Sequence, residues 1–316
     1  TTISPQERAA LREPTTTTAP VDKTAYKNRG DVVYRREKRL TGGIHATYIM
    51  RREGDDQRFV WKPEERAEMR QAESGGSSLA AAIVGADLSP VAVDTELFNP
   101  GTQTWEAGTL QPFLRSNAKE TQAMSRRDVG YKYSPTQTAQ LLAHMIADWV
   151  IANYDNHHDQ FLVGEDDSII GLDKGQALKF TYEGDATALD GRIAALATES
   201  LKDSTFVVDA TYPNTERKPA AEAFFAITRD LVARIKGDEL KVDWEEPHLV
   251  QAIDFASKLQ PSQVEEHLGA LARGRFAGKE EALYAALAAR ANKIKAQLKA
   301  LFPKTVLPKS LGGDLE

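Results

Sequence analysis

The chain has 316 residues, of which 41% are hydrophobic and 27% are charged, a composition typical of soluble globular proteins. It contains no cysteine, which excludes disulfides, thiolate nucleophiles and cysteine-ligated zinc. Its formal net charge of −6 and the lack of a basic, aromatic-rich stripe argue against a nucleic-acid partner, and no apolar run is long enough to span a membrane.

The first third of the chain reads as a strand-rich unit with one helix. Residues 1–25 are rich in threonine, proline and charge and are predicted to form a disordered tail. A helix is predicted over 64–84, with an interruption at 74–77, and turns are predicted at Gly42-Gly43 and at 53–56. Five strands are predicted over 31–34, 46–50, 58–62, 91–98 and 105–113.

The remainder reads as mainly helical. Ser134-Pro135 is predicted to open a helix with a strongly apolar stripe, which a polar loop at 153–160 and a hairpin over 161–172 follow. Residues 218–301 are predicted to be mainly helical. One face of the last helix is predicted to carry Leu287, Ile294, Leu298 and Leu301.

These patterns predict an α+β chain with two lobes. The small strand-rich lobe is predicted over 26–114 and the larger helical lobe over 115–305, with a second tail over 306–316. The sequence does not set the compartment, because a chain without cysteine is stable in the cytoplasm and in a secreted state.

Phosphoryl transfer requires a glycine loop over the phosphates, a lysine on them, oxygen ligands for the metal and a carboxylate near the acceptor hydroxyl. Gly42-Gly43-Ile44-His45 can form a turn whose backbone amides face phosphate oxygens. Lys62 comes near the end of the next strand, and Glu73 lies on the helix after it, where it can hold the lysine as an ion pair.

The polar loop carries the strongest signal. Asp155 and Gln160 have the five-residue separation of a catalytic aspartate and an amide that binds magnesium, and Asp173 closes the following hairpin as a second metal ligand. His157 and His158 between them suggest zinc instead, but neighbouring side chains diverge and the chain has only six histidines. No Gly-x-Ser-x-Gly motif supports a serine hydrolase.

The same residues carry a family resemblance. Asp155-Asn156-His157 resembles the Asp-Arg-His of the phosphatidylinositol 3-/4-kinase-like group, which includes the actin-fragmin kinase and related bacterial atypical kinases. Further similar segments are 42–45, 59–63, 108–113 and 170–175. The resemblance runs from about residue 39 to residue 175, with looser helical agreement to residue 301.

The resemblance implies a two-lobed protein-kinase-like fold that uses ATP and Mg²⁺. It implies that Lys62 contacts the ATP phosphates, that Asp155 orients the acceptor hydroxyl and that Asp173 binds magnesium. It also implies that Leu110 and Gln111 face adenine.

Three residues depart from the family pattern. Asn156 replaces the arginine after the catalytic aspartate, Gln160 replaces the magnesium-binding asparagine, and Lys174 replaces the phenylalanine of the Asp-Phe-Gly triplet. These departures leave two alternatives to a kinase: a pseudokinase that serves as a nucleotide-binding interaction module, and a kinase-fold enzyme that transfers AMP.

The acceptor is predicted to be a protein hydroxyl or a small molecule. Lipid headgroup kinases of this group use basic residues after the metal-binding aspartate, whereas acidic residues outnumber basic ones by six to three over 176–209. A phosphoinositide acceptor is therefore disfavoured.

Overall fold

The computed structural model describes residues 22–40, 46–55, 57–114, 122–123, 132–156, 160–164, 166–201, 226–305 and 307–312. Over these ranges the chain is a mixed α/β protein with a strand-rich N-terminal region and a helical C-terminal part, which confirms the coarse plan predicted from the sequence. No helix in the described ranges is both long enough and apolar enough to cross a bilayer.

Six antiparallel strands form a closed barrel in the N-terminal region. They are β1 (Ala25–Lys27), β2 (Val33–Leu40), β3 (Thr47–Arg52), β4 (Arg58–Pro63), β5 (Val93–Asn99) and β6 (Thr104–Pro112). Their order is β1-β2-β3-β4-β6-β5, and the Lys27–Phe98 pairing closes the barrel between β1 and β5. The sequence predicted the other five strands but missed β1, whose three residues are too few for an alternating pattern and begin inside the predicted tail.

The barrel has its own hydrophobic core, formed by Tyr26, Tyr34, Met50, Phe59, Trp61, Leu97 and Leu110. Successive side chains on a strand point to opposite faces. Phe59 and Trp61 of β4 lie in this core, so Val60 and Lys62 point outward from it. On the neighbouring strand, Thr109 pairs with Lys62.

The described ranges contain nine α-helices. They are α1 (Ala67–Val84), α2 (Pro135–Val150), α3 (Lys179–Tyr182), α4 (Leu189–Thr198), α5 (Ala226–Lys236), α6 (Pro247–Lys258), α7 (Pro261–Arg275), α8 (Glu280–Ala291) and α9 (Ile294–Leu301). A small antiparallel sheet has the order β7 (Gln122–Ala123), β8 (Phe161–Val163) and β9 (Ile169–Gly171). The sequence did not predict α3 or α4.

Helix α1 is continuous, so the interruption predicted at 74–77 is wrong. A Cβ on Gly75 would lie 2.6 Å from the His267 carbonyl oxygen of α7, and a Cβ on Gly76 would lie 3.0 Å from the Cβ of Lys174. These glycines therefore do not break the helix. They let two other segments approach its backbone closely.

Helix α2 begins as its sequence predicts. Ser134 Oγ accepts a hydrogen bond from the Gln137 backbone amide at 3.1 Å, and Ser134 N donates one to Gln137 Oε1 at 3.0 Å. This capping box and Pro135 at the first helical position set the start of the helix. Residues 137–150 are all buried, so the helix runs through the centre of the C-terminal part.

A second, larger core joins the helices, and α1 belongs to it. Leu79, Ile83 and Val84 of α1 are in the same buried cluster as residues of α2, α6, α7 and α8. The predicted boundary at residue 114 stays a prediction. The hydrophobic packing groups α1 with the helical part, although Arg70 of α1 also pairs with Asp94 of β5.

The C-terminal end differs from its prediction in two places. The predicted last helix is two helices, α8 and α9, which separate at Asn292 and Lys293, although Leu287, Ile294, Leu298 and Leu301 are all buried as expected. Within the predicted tail, Lys309–Leu311 form a 3₁₀ turn whose Leu311 is buried, so this segment is packed against the helical part.

Candidate functional site

The side chain of Lys62 lies close to two carboxylates from two other chain segments. Its Nζ lies 3.1 Å from Asp173 Oδ2 and 3.7 Å from Glu73 Oε2. Strand β4 supplies the lysine, helix α1 supplies Glu73, and Asp173 follows β9. The structure therefore brings together the lysine, the helix glutamate and the second aspartate that the sequence singled out.

The three groups shift one another's pKa values. Burial opposes the charge of Lys62, but the carboxylates of Asp173 and Glu73 outweigh this effect and raise its pKa above the ordinary value. Burial also opposes ionisation of Asp173, yet the charge of Lys62 and a hydrogen bond from Glu73 lower its pKa. Burial raises the pKa of Glu73 to about 7, with Lys62 acting in the opposite direction. The site thus holds a lysine cation and an aspartate anion beside Glu73, whose ionisation burial makes less favourable.

Asp173 has an unusual backbone conformation, with a φ of +52°. A non-glycine residue in this left-handed region is uncommon, and such residues concentrate at functional sites. Its Oδ1 lies 3.4 Å from the backbone amide of Gly175, so the turn and the lysine both hold the carboxylate.

Asp155 joins this group through Gln160. Gln160 Nε2 lies 3.3 Å from Asp155 Oδ2, and the Gln160 carbonyl oxygen accepts a hydrogen bond from Leu172 N at 2.8 Å. Leu172 directly precedes Asp173. A short chain of contacts therefore connects the predicted catalytic aspartate to the predicted metal ligand.

The sequence missed Asp148, which binds both halves of the site. Its Oδ1 accepts hydrogen bonds from Asn153 Nδ2 at 3.0 Å and from Lys174 Nζ at 2.7 Å, and its Oδ2 accepts one from Asn156 Nδ2 at 2.6 Å. One signal for it was present: Asp148 is a charged residue inside the apolar stretch of α2, and such a residue needs buried partners.

The two residues predicted to face adenine, Leu110 and Gln111, lie on opposite faces of strand β6. Leu110 lies in the barrel core beside Trp61, on the opposite face from Lys62. Gln111 pairs with Val60 on the outward face, and its Nε2 donates a hydrogen bond to the Pro90 carbonyl oxygen at 2.9 Å. The structure thus places Gln111, but not the Leu110 side chain, on the face that carries Lys62.

Two apolar residues on the outward face were not singled out from the sequence. Ile49 pairs with Val60, and both side chains are half-buried. They continue the face of Lys62 and Gln111 across three neighbouring strands. The alternation along β3 and β4 was visible in the sequence, but it did not reveal which side chains would share a face with Gln111 across the strands.

Part of the predicted site lies outside the described residues. Gly42, Gly43, Ile44 and His45 fall in the connection from β2 to β3, and His157 and His158 fall in the polar loop. Within the ranges that are described, no group of three or more His, Cys, Asp or Glu side chains is arranged to hold a metal ion.

Comparisons with known proteins give little further information. No protein-family model matches the chain, and no curated protein matches it. It is similar to the crystal structure of the Helicobacter pylori proinflammatory kinase CtkA, with a TM-score of 0.39 and 11% sequence identity, over 80% of this chain and 95% of that one. A likeness at this level establishes neither a family nor a function.

Proposed function

We propose that this protein is an ATP- and Mg²⁺-dependent phosphotransferase of the atypical kinase type, with a two-lobed protein-kinase-like fold. The observation that carries the proposal is the contact of Lys62 with both Glu73 and Asp173. A lysine held by a helix glutamate beside a metal-binding aspartate is the arrangement that positions a triphosphate in kinases. The resemblance of 155–157 and 170–175 to the phosphatidylinositol 3-/4-kinase-like group supports the same conclusion.

The residues at the site fit a magnesium ion shared with phosphate oxygens. Mg²⁺ is bound in such sites by one or two protein oxygens together with substrate phosphates, so a large cluster of carboxylates is not needed. Asp173 is an anion whose side chain is 36% exposed, and Gln160, which directly precedes β8, has an amide oxygen in its side chain. These two residues would hold the ion, which would neutralise charge on the transferred phosphoryl group.

Each protein group has a separate task in this proposal. Lys62 binds the phosphate oxygens, and Glu73 fixes the direction of the lysine side chain. Asp155 accepts the proton of the acceptor hydroxyl and orients its oxygen for attack on the terminal phosphorus. Gln111, Val60 and Ile49 lie on the outward face of the barrel, where an adenine ring would contact them.

The acceptor is a protein hydroxyl or a small molecule. In the described part of 176–209, Lys179 and Arg192 are committed to contacts within the protein. Lys179 is paired with Glu183, and Arg192 donates to the carbonyl oxygens of Thr181 and Asp185. Both side chains thus already have partners within the protein, which agrees with the acidic balance of that segment in disfavouring a phosphorylated headgroup.

The direct test is an assay with ATP labelled separately in its γ-phosphate and its adenine, with Mg²⁺ and with lysate proteins, inositol lipids and a metabolite panel as acceptors. Asp155→Asn should keep ATP binding and lower transfer on the order of 10²–10⁴-fold, because it removes the proton acceptor. Lys62→Met should weaken ATP binding as well. Asp254→Asn and Lys258→Met, which alter an exposed pair on α6, are matched controls that should change neither quantity.

The outcomes distinguish the candidate functions. Transfer of label from the γ-phosphate alone supports the kinase, whereas transfer of the adenine label would show an AMP transferase. ATP binding without transfer to any acceptor would show a nucleotide-binding interaction module. If the wild-type protein fails to bind ATP with Mg²⁺, the proposed function is wrong.

A further inference from the structure

One buried carboxylate contacts both chain segments of the proposed site. Asp148 lies near the end of α2 with 3% of its surface exposed, and its three partners Asn153, Asn156 and Lys174 are each 1% exposed. The two asparagines flank Asp155, and Lys174 lies between Asp173 and Gly175. The proposed proton acceptor and the proposed metal ligand are therefore each next to a residue bound to the same side chain.

A gain in stability does not by itself explain the buried ion pair of Asp148 and Lys174. Burying two charges costs about as much free energy as their attraction returns, and well-packed apolar residues can replace a buried ion pair without loss of stability. What the pair provides is a fixed geometry. The ammonium and two amides converge on two oxygens from three directions, which leaves the carboxylate little freedom to move.

The neighbouring helix fixes Lys174 from its other side. A Cβ on Gly76 of α1 would lie 3.0 Å from the Lys174 Cβ and 3.2 Å from its carbonyl oxygen. The backbone of Lys174 thus lies directly against α1, while its side chain extends to Asp148. The segment that carries Asp173 is held between two helices.

We propose that Asp148 and Lys174 are positioning residues that hold Asp155 and Asp173 at a fixed separation through one shared carboxylate. Neither residue touches the substrate in this scheme. The test by nucleotide affinity rests on the function proposed above. The coupling between the two chain segments is tested separately, without nucleotide.

The catalytic readout is the affinity for ATP with Mg²⁺, compared with ATP in EDTA. Lys174→Met and Asp148→Asn should each weaken the Mg²⁺-dependent binding about 10–100-fold, the range observed when residues that orient metal ligands are changed. Binding in EDTA should change much less. Leu287→Ala, which alters a fully buried position on α8, is the control for a general loss of stability.

The double variant Asp148→Asn/Lys174→Met distinguishes positioning from a purely structural role. Lys174→Met alone leaves a buried carboxylate without its cation, so its melting temperature should fall, and the double variant should recover much of that fall. The Mg²⁺-dependent affinity should stay low in the double variant, because the amide that replaces the carboxylate has only one acceptor oxygen for the two asparagines. Parallel recovery of melting temperature and affinity would overturn the proposal.

Hydrogen exchange tests the mechanical part without any nucleotide. Lys174→Met should speed exchange in peptides covering 152–156 as well as 170–178, and Asn156→Ala should speed exchange in 170–178. Exchange that rises only in the altered segment would overturn the proposal, even if the protein is a kinase. If the wild-type protein binds no ATP but the exchange is coupled, the proposed function fails and the shared positioning of the two segments stands.

Discussion

At the residue scale, the site depends on one lysine shared by two carboxylates. Of the two carboxylates, Asp173 lies nearer to Lys62, and its lowered pKa indicates that it is the ionised one. Glu73 is almost completely buried, so its own charge is costly, and burial raises its pKa to about 7. Small changes of pH near neutrality therefore change the charge on Glu73 while Asp173 stays ionised.

Glu73→Gln should alter how stability depends on pH. A carboxyl whose pKa is about 7 when folded and near 4.5 when unfolded binds more protons in the folded state, so its contribution to stability is lost as pH rises from about 4.5 to 7. The glutamine side chain of the variant has no titratable group in this pH range. The free energy of unfolding of wild type should therefore fall relative to that of the variant across this interval, as measured by urea denaturation at pH 5, 6, 7 and 8.

Glu65→Gln provides the comparison for this measurement, since Glu65 is an exposed glutamate eight residues earlier in the chain. Its unfolding free energy should run parallel to that of wild type. If the Glu73→Gln curve also runs parallel to wild type over pH 5–8, then Glu73 does not titrate near neutrality.

At the element scale, two glycines of helix α1 let neighbouring segments approach its backbone closely. Gly75 lies against α7 and Gly76 lies against Lys174, so the helix that carries Glu73 also supports the segment that carries Asp173. An isolated helix would gain from alanine at either position, because glycine is the poorer helix former by ~1 kcal/mol. In the folded protein, the close contacts of Gly75 and Gly76 oppose alanine at both positions.

Gly76→Ala should therefore destabilise the protein by about 1–3 kcal/mol, the usual cost of an extra methyl group in a tightly packed position. It should also weaken Mg²⁺-dependent ATP binding, because the methyl group presses on Lys174. Gly191→Ala in α4 is the matched control, since a Cβ there meets nothing within 4 Å. Gly191→Ala should be neutral or more stable by up to about 1 kcal/mol in chemical denaturation. A similar gain in stability for Gly76→Ala would contradict the predicted clash with Lys174.

A second contact between elements joins the end of α1 to the start of α6. His248 Nδ1 lies 2.7 Å from Glu246 Oε1, and its Nε2 lies 2.9 Å from Asp87 Oδ2. The hydrogen bond with Glu246, opposed by partial burial and reinforced by Asp87, raises the pKa of His248 to about 9. Gln140 of α2 also donates to Glu246, at 3.3 Å, so this cluster connects α2 and α6 to the turn that follows α1.

This histidine should make stability fall in mildly alkaline solution. A histidine with a folded pKa of about 9 and an unfolded pKa near 6.5 stabilises the fold fully below pH 6.5, and the contribution is lost as pH rises through 9. His248→Gln keeps polar atoms but cannot carry the charge. Its melting temperature should be below that of wild type at pH 6, and the two should converge by pH 10; a constant difference over that range would contradict the raised pKa.

The sequence predicted elements with local signals and missed contacts that depend on distant partners. The helix start at Ser134-Pro135 and the strand over 58–62 were predicted from local signals, and both form where they were predicted. Asp148 was missed because its partners lie 5, 8 and 26 residues further along the chain, and no local pattern connects these positions. The glycines at 74–77 were misread because their role is set by α7 and Lys174, which only the tertiary fold brings near.

At the scale of the whole molecule, the described residues contain two separate hydrophobic cores. The barrel core has seven residues, and the larger core extends through α1, α2 and the helices of the C-terminal part. Because α1 lies between two barrel strands in the chain but packs in the larger core, the chain crosses from one core to the other at both ends of this helix. A cut at residue 114 would therefore separate α1 from most of its packing partners.

Two matched leucine variants test this division. Leu79 of α1 and Leu97 of β5 are both fully buried, and each substitution to alanine should cost about 2–5 kcal/mol. Leu79→Ala should speed hydrogen exchange in α1, α2 and α6, and Leu97→Ala should speed it in the barrel strands while α1 stays protected. If Leu97→Ala exposes α1 as strongly as Leu79→Ala does, then α1 unfolds with the barrel and the grouping drawn from the packing is wrong.

The ion pairs of Lys62 cross the boundary between these two cores. The lysine belongs to a barrel strand, whereas Glu73 lies on α1 and Asp173 follows β9. A rotation of one part against the other would lengthen these two contacts together with the Arg70–Asp94 pair between α1 and β5. The reactivity of the Lys62 ammonium toward an acylating reagent would therefore report whether the two parts are in contact.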